Sequence, residues 1–210
     1  MSGDRAVILG ALKRRLDHPE RDADAPAARI AAHQANLIPA RGAGDRETRI
    51  YRFTEESETA SATVARISSE GDLPAEIARY LSSQNLPAEI RIAPALNEIP
   101  WDPQPTLTVN RGPVLETDTV GVNRAFAGVA ETGTVVFRSG PDSPTPINFL
   151  PLTHIAVLST KDLHGDYEAI WTKLRAAQKH GATPMPRTVN MVTGPSATGD
   201  IEQTMQHGAH

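Results

Sequence analysis

Apolar residues near the start of the chain recur at helical spacing, and from residue 48 onward helix-like and strand-like patterns alternate. Val7, Leu9, Leu12 and Leu16, then Ile30, Ala31, Leu37 and Ile38, predict one or two amphipathic helices divided by a turn region between Pro19 and Pro26. Residues 1–47 therefore read as a helical arm that packs on the body or on a second subunit. Its basic side chains are mixed with acidic ones, which marks a solvated face and no binding surface.

In the body, residues 49–53 predict a short strand. The polar opening at Thr54, with Ala60, Val64 and Ile67 on one face, predicts a helix after it. A second helix starts at Leu73 with Pro74 at a first-turn position, continues its apolar face through Ile77, Tyr80 and Leu81, and stops near Asn85. Residues 89–93 and 106–109 read as strands, divided by a loop marked by Pro94, Pro100, Pro103 and Pro105. Trp101 in that loop is either a packing anchor or a stacking platform, and general burial tendencies favour the anchor.

Two β-prone runs between Val120 and Phe137 are joined through Glu131-Thr132-Gly133-Thr134, where Gly133 can take the positive φ of a tight turn or bulge. Residues 139–146 form a proline-rich loop, either a lid or an ordinary solvent loop. Residues 152–158 give a buried type of strand with His154 near its start. Residues 166–180 give the clearest helix, with Asp166 as N-cap, Tyr167, Ile170, Trp171 and Leu174 on the core face, and Gly181 as the stop. Residues 188–193 alternate as a strand that ends at Gly194-Pro195-Ser196 and restarts as a helix bearing Asp200 and Glu202 in its first turn. The pattern as a whole predicts an α/β fold, with a domain at residues 48–210 following the arm.

The 210 residues suffice for one such domain, in which folding buries roughly 70% of the unfolded chain's surface. With 21 basic and 25 acidic residues the net charge is −4, which supplies no footprint for nucleic acid and no polybasic membrane anchor. No apolar run approaches the ~20 residues needed to cross a bilayer, and the start of the chain lacks the apolar core of a secretion signal, so a cytoplasmic location is expected. There is no cysteine. Disulfides, thiolate metal sites and iron–sulfur ligation are thereby removed from this polypeptide, and any redox centre must sit on a partner.

The candidate chemistry gathers at two places. Gly194, Pro195, Ser196 and Thr198 at a helix start could cradle a phosphate or carboxylate on backbone N–H groups, although no P-loop lysine follows. Asp200 and Glu202 complement a helix dipole there, or with Glu131 could hold an oxygen-coordinated divalent cation. Glu131 is a carboxylate at a glycine bend beside the hydroxyls of Thr132 and Thr134. His154 on an apolar strand reads as a hydrogen-bonded core histidine or as a base. His207 and His210, three apart on an expected terminal helix, are a weak metal pattern without further ligands.

Three ordered segments carry a resemblance. Residues 130–137 (Ala-Glu-Thr-Gly-Thr-Val-Val-Phe), 150–157 (Leu-Pro-Leu-Thr-His-Ile-Ala-Val) and 193–202 (Thr-Gly-Pro-Ser-Ala-Thr-Gly-Asp-Ile-Glu), with Gly208-Ala209-His210 at the end, resemble the lactate utilization protein C family of LUD domains. The resemblance implies a fold of the NagB/RpiA/CoA-transferase-like group, a three-layer architecture with a mainly parallel sheet flanked by helices. It also implies an accessory, non-redox role beside iron–sulfur partner proteins in oxidising L-lactate to pyruvate, with no cofactor on this chain. Family members commonly show Ser-Arg-Thr-Ala-Asp-Ile-Glu where this chain has Ser196 to Glu202 without the arginine, and they continue past Gly-x-His into a final strand, so the last strand is expected to be missing. By analogy with CoA-transferase-like enzymes, Glu131 could instead serve as nucleophile or base in a stand-alone enzyme acting on a CoA thioester or a phosphorylated small molecule.

Overall fold

The computed structural model describes residues 3–16, 24–179, 186–199 and 205–207. The chain divides into two compact units, Met1–Leu37 and Ile38–His210. The first holds α1 (Gly3–Leu16) and α2 (Asp24–Ala32), the two helices expected from the apolar spacing. Val7, Ile8, Leu9, Leu12 and Ile30 are exposed on them.

The second unit begins with a loop carrying one 3-10 turn, Ala40–Gly42, and then α3 (Arg46–Thr59). Here the expected strand at 49–53 is replaced by helix. Ile50, Phe53, Thr54 and Ser57 turn inward at spacings of three and four, a helical period that shows only over a window longer than residues 49–53. Asp45 caps the helix by accepting the Thr48 N–H at 2.8 Å, and Arg52 reaches Glu55 and Glu56 along the next turns. The helix closes at Ala60, so Val64 and Ile67 lie beyond it in irregular chain. α4 (Leu73–Ser83) forms as expected, with Pro74 in its first turn and Leu73, Ile77 and Leu81 buried.

The strands follow in order: β1 (Glu89–Ile92), β2 (Thr108–Asn110), β3 (Val120–Arg124), β4 (Ala127–Val129), β5 (Thr134–Arg138), β6 (Thr153–Val157) and β7 (Leu163–His164). Next come α5 (Tyr167–Lys179), β8 (Val189–Val192), β9 (Ala197–Gly199) and β10 (Met205–His207). One sheet has the order β2-β1-β3-β6 and is parallel throughout. A second has the order β7-β4-β5-β8, with β4 and β7 parallel and β5 antiparallel to both β4 and β8.

The two sheets share their strands in sequence. Two residues, Ala125 and Phe126, separate β3 from β4, and the 3-10 turn Thr160–Asp162 stands between β6 and β7. The parallel neighbours β3 and β6 thus pass side by side into the second sheet as β4 and β7. The Ala125 N–H to Val157 carbonyl and Phe126 N–H to Val136 carbonyl bonds, at 2.9 and 2.8 Å, keep the backbone paired across the switch. The result is an α/β fold built on a mainly parallel sheet with flanking helices.

Each sheet has its own core. Ile90, Ile92, Val120 and Val122 pack with Leu73, Ile77 and Leu81 of α4 and with Trp101. Trp101 is a packing anchor, 4% exposed, and its indole N–H donates to the Leu96 carbonyl at 3.0 Å. On the second sheet Ala127, Val129 and Val136 pack against Ile170, with Tyr167 and Val189 at the edge. Asp166 caps α5 through the Ala169 N–H at 2.9 Å. The expectation that Trp171 belongs to the core is corrected, since it is 37% exposed while Ile170 and Leu174 are buried. Tyr167, Ile170 and Leu174 define a narrow stripe, and Trp171 falls on its margin. Gly181, the expected stop, lies outside the described residues.

One buried ion pair supports the parallel sheet. Arg91, on β1, donates from Nε and Nη2 to the two carboxylate oxygens of Asp118 at 2.8 and 3.0 Å, and from Nη1 to the Arg111 carbonyl at 2.7 Å. Asp118 also accepts the Leu115 N–H at 2.7 Å, so its carboxylate ties the connection between β2 and β3 to β1. No helix among the described residues is long and apolar enough to cross a membrane.

Candidate functional site

The turn between β4 and β5 carries Ala130, Glu131, Thr132 and Gly133, at the point where two sequence motifs come together. Its backbone is fixed from the β7 side, the Ala130 N–H bonding the His164 carbonyl at 2.8 Å and the Glu131 N–H the Gly165 carbonyl at 3.1 Å. From the other side, α3 presses on the turn. Gly133 has φ 65°, a Cβ placed on it would stand 2.4 Å from the Ser57 amide nitrogen, and the Ser57 hydroxyl donates to the Gly133 carbonyl at 3.2 Å. Gly194, from the third motif, sits against the end of the same helix, with φ 67° and a would-be Cβ only 2.0 Å from the Ala60 carbonyl oxygen.

A cluster of hydroxyls locks these pieces. Thr132 Oγ1 lies 2.7 Å from Thr134 Oγ1 and 3.0 Å from the Tyr167 hydroxyl, while Thr134 Oγ1 lies 2.9 Å from Tyr167 and 2.6 Å from Thr193 Oγ1. Four hydroxyls bring four protons, enough for one in each of these four contacts. The cluster is a clamp joining the turn, the start of α5 and the end of β8.

Glu131 is the member of the turn left with an unmet demand. It is 5% exposed, and its Oε2 accepts no hydrogen bond among the described residues. The nearest cation among the described residues is Arg41, whose Nε stands 4.0 Å from Oε2 and whose side chain is 57% exposed. That separation permits Coulomb attraction but no hydrogen bond. Gly42 makes the approach possible. A Cβ there would meet the Gly165 carbonyl oxygen at 2.1 Å and the Glu131 Cβ at 3.1 Å, so the loop before α3 lies directly on the Glu131 turn.

The segment after Gly194 departs from expectation. Gly194 and Pro195 form the bend, but from Ala197 the chain extends as β9, antiparallel to β10, with Thr198 opposite Gln206. Ser, Thr and Gly are poor helix formers, and the ladder takes up the backbone groups that a helix start would have pointed at an anion. The helix N-terminus anticipated after Ser196 is thus absent among the described residues, and with it the N–H cradle. His207 lies on β10 and not on a terminal helix. Asp200, Glu202 and His210 lie outside the described residues. No group of three His, Cys, Asp or Glu side chains that could hold a metal gathers among the described residues.

His154 sits apart from the turn, on β6 opposite Gly121 in the parallel sheet. Its ring packs on Phe137 with centroids 5.0 Å apart, and burial pushes its pKa down to about 4, so it is neutral at neutral pH. No hydrogen bond joins it to Glu131 among the described residues, and its Nε2 is buried without a partner there. His164, on β7, is likewise lowered, first by burial and then by the charge of Lys173. The sequence reading did not flag Arg41, Gly42 or Ser57. The local signal is the run Arg41-Gly42-Ala43-Gly44 just before the Asp45 cap, within the 1–47 arm expected from the sequence.

Fold and site together define an α/β protein whose buried carboxylate lies at a glycine turn between a mixed sheet and a helix. Residues 50–210 match the LUD domain, and the chain belongs to that family. It is 32% identical over 95 residues to lactate utilization protein C of Bacillus subtilis, a match covering 45% of this chain and 39% of that protein. It is 30% identical over 90 residues to an uncharacterised protein of Neisseria meningitidis serogroup B, covering 43% of this chain and 37% of that one. These matches span well under half the length of the relatives. Among solved structures, a DUF162 family protein from Deinococcus radiodurans superposes with a TM-score of 0.58 at 20% identity, over 72% of this chain and 90% of that chain, and shows the shared fold.

Proposed function

We propose that this chain is an accessory, non-redox component of L-lactate utilization, working in the cytoplasm beside iron–sulfur proteins that carry the electrons from lactate to an acceptor. The observation that carries this reading is LUD family membership together with relatives named lactate utilization protein C. The chemistry of the chain supports it. Without a cysteine, these 210 residues offer no thiolate to an iron–sulfur cluster, so oxidation is assigned to the partners. What the chain offers is a turn that holds one buried carboxylate oxygen without a hydrogen-bond partner among the described residues, near the exposed guanidinium of Arg41.

The test is genetic. A strain lacking this chain is expected to lose growth on L-lactate while growing normally on pyruvate, and the wild-type chain restores it. Undiminished growth of the deleted strain on lactate as sole carbon source would remove the proposal.

A further inference from the structure

We propose that the open edge of β6 joins two copies of this chain, strand to strand about a two-fold axis, with His154 of each copy paired to Ala156 of the other. β6 closes one side of the parallel sheet, and no strand among the described residues lies beyond it. Its backbone shows which groups are free. The Thr153 N–H donates to the Thr119 carbonyl and the Val157 carbonyl accepts from the Ala125 N–H, both at 2.9 Å. Backbone groups of a strand point alternately to its two sides, so residues 153, 155 and 157 bond β3, and the N–H and C=O groups of His154 and Ala156 point outward.

Apolar side chains stand in water beside this edge. Leu152 is 92% exposed, more than any other large apolar side chain among the described residues, and Phe149 and Leu150 in the turn before it are more than half exposed. Residues 143–160 contain no Asp, Glu, Lys or Arg. Folded proteins guard free sheet edges with charges, prolines or short strands. The opposite edge of the same sheet has such guards: β2 is three residues long, Pro103 and Pro105 precede it, and Arg111 follows it. β6 has five residues, with no charge and no proline among them.

An uncharged run gives a foreign partner no charge to recognise, and what it does offer is self-complementary. In antiparallel pairing about a two-fold axis through Ile155, His154 faces Ala156 of the second copy and Ala156 faces His154 of the second copy, each pair exchanging both N–H to C=O bonds. The same register sets Leu152 opposite Leu158 of the second copy. Opposed residues of an antiparallel pair lie on one face of the sheet, so the exposed leucine meets a leucine that is half-buried beside Gly128. No like charges meet in this contact.

The experiment is sedimentation equilibrium of the purified full chain, with hydrogen exchange read over residues 153–157. The wild type is expected at twice the 22.6 kDa of one chain, with the His154 and Ala156 amides protected. Leu152→Lys puts a charge on an exposed side chain, and Ala156→Pro removes an N–H that β3 does not use, so both are expected to keep the fold of the single chain, which circular dichroism verifies. Because each substitution enters a symmetric contact twice, each is expected to weaken the dimer by at least about tenfold and to release the His154 amide to exchange. Thr108→Lys, at the opposite edge, is expected to leave the dimer intact. A wild-type chain that sediments as a monomer overturns the proposal. So does a dimer that both β6 variants leave unchanged, or one whose His154 and Ala156 amides exchange freely.

Discussion

Replacing Gly133 by alanine is expected to destabilise the fold by about 4 kcal/mol, a large part of the 5–15 kcal/mol typical of a domain. Two effects add. At φ 65° an L side chain is strained by about 1–3 kcal/mol, and its Cβ would stand 2.4 Å from the Ser57 nitrogen and 2.7 Å from the Glu56 carbonyl carbon. Those are backbone atoms of α3, so relief requires the helix to move, a further loss of about 1–3 kcal/mol. Gly112 provides the control. It also has a positive φ, 94°, but nothing lies within 4 Å of its would-be Cβ, so Gly112→Ala should lose only the conformational part, about 1–2 kcal/mol. Urea denaturation of both variants measures the difference. If Gly133→Ala loses no more than Gly112→Ala, α3 does not press on the turn as described.

The second large effect belongs to Asp118. Arg91 and Asp118 have side chains 9% and 8% exposed, and Asp118→Ala would leave a buried guanidinium with only the Arg111 carbonyl. Removing one partner of such a pair typically costs about 3–5 kcal/mol. The pair also fixes a pH dependence. The Arg91 hydrogen bonds, with help from the Leu115 N–H, hold the Asp118 carboxyl below the usual aspartate value of 3.8, against the opposing pull of burial. A depressed carboxylate contributes stability that is complete above its unfolded pKa and is lost as pH falls through its folded one. The stability gap between wild type and Asp118→Ala should therefore be constant above about pH 5 and narrow below about pH 4. A gap that widens in acid would show that Asp118 is not held ionised by Arg91.

Much of the second unit was legible because its signals are local. Pro74 and the Leu73, Ile77, Leu81 stripe mark α4, Asp166 marks the start of α5, and the glycine at 133 marks the turn between β4 and β5. The failures share a physical cause. Residues 49–53 are too short a window to separate strand from helix, and the helical register, which extends to Ser57, is chosen by packing against the Gly133 turn, a contact 76 residues away. The Gly194-Pro195-Ser196 stop followed by Asp200 and Glu202 has the order of a helix start, whereas the backbone of Ala197 to Gly199 is taken by a strand partner from Met205 to His207. At the site, Glu131 could be singled out from the sequence, yet Arg41 could not. It reaches the carboxylate only because Gly42 and Gly165 let two backbones touch, and nothing local announces that pairing.

The central claim is that the Glu131 turn is where this chain works, and the direct measurement is growth on L-lactate of a strain whose only copy carries Glu131→Gln. Glutamine keeps the volume of the buried side chain, and urea denaturation verifies that the variant is folded. The expected result is a folded protein that fails to restore growth on lactate while growth on pyruvate is normal. Full restoration of lactate growth by the folded variant would contradict it.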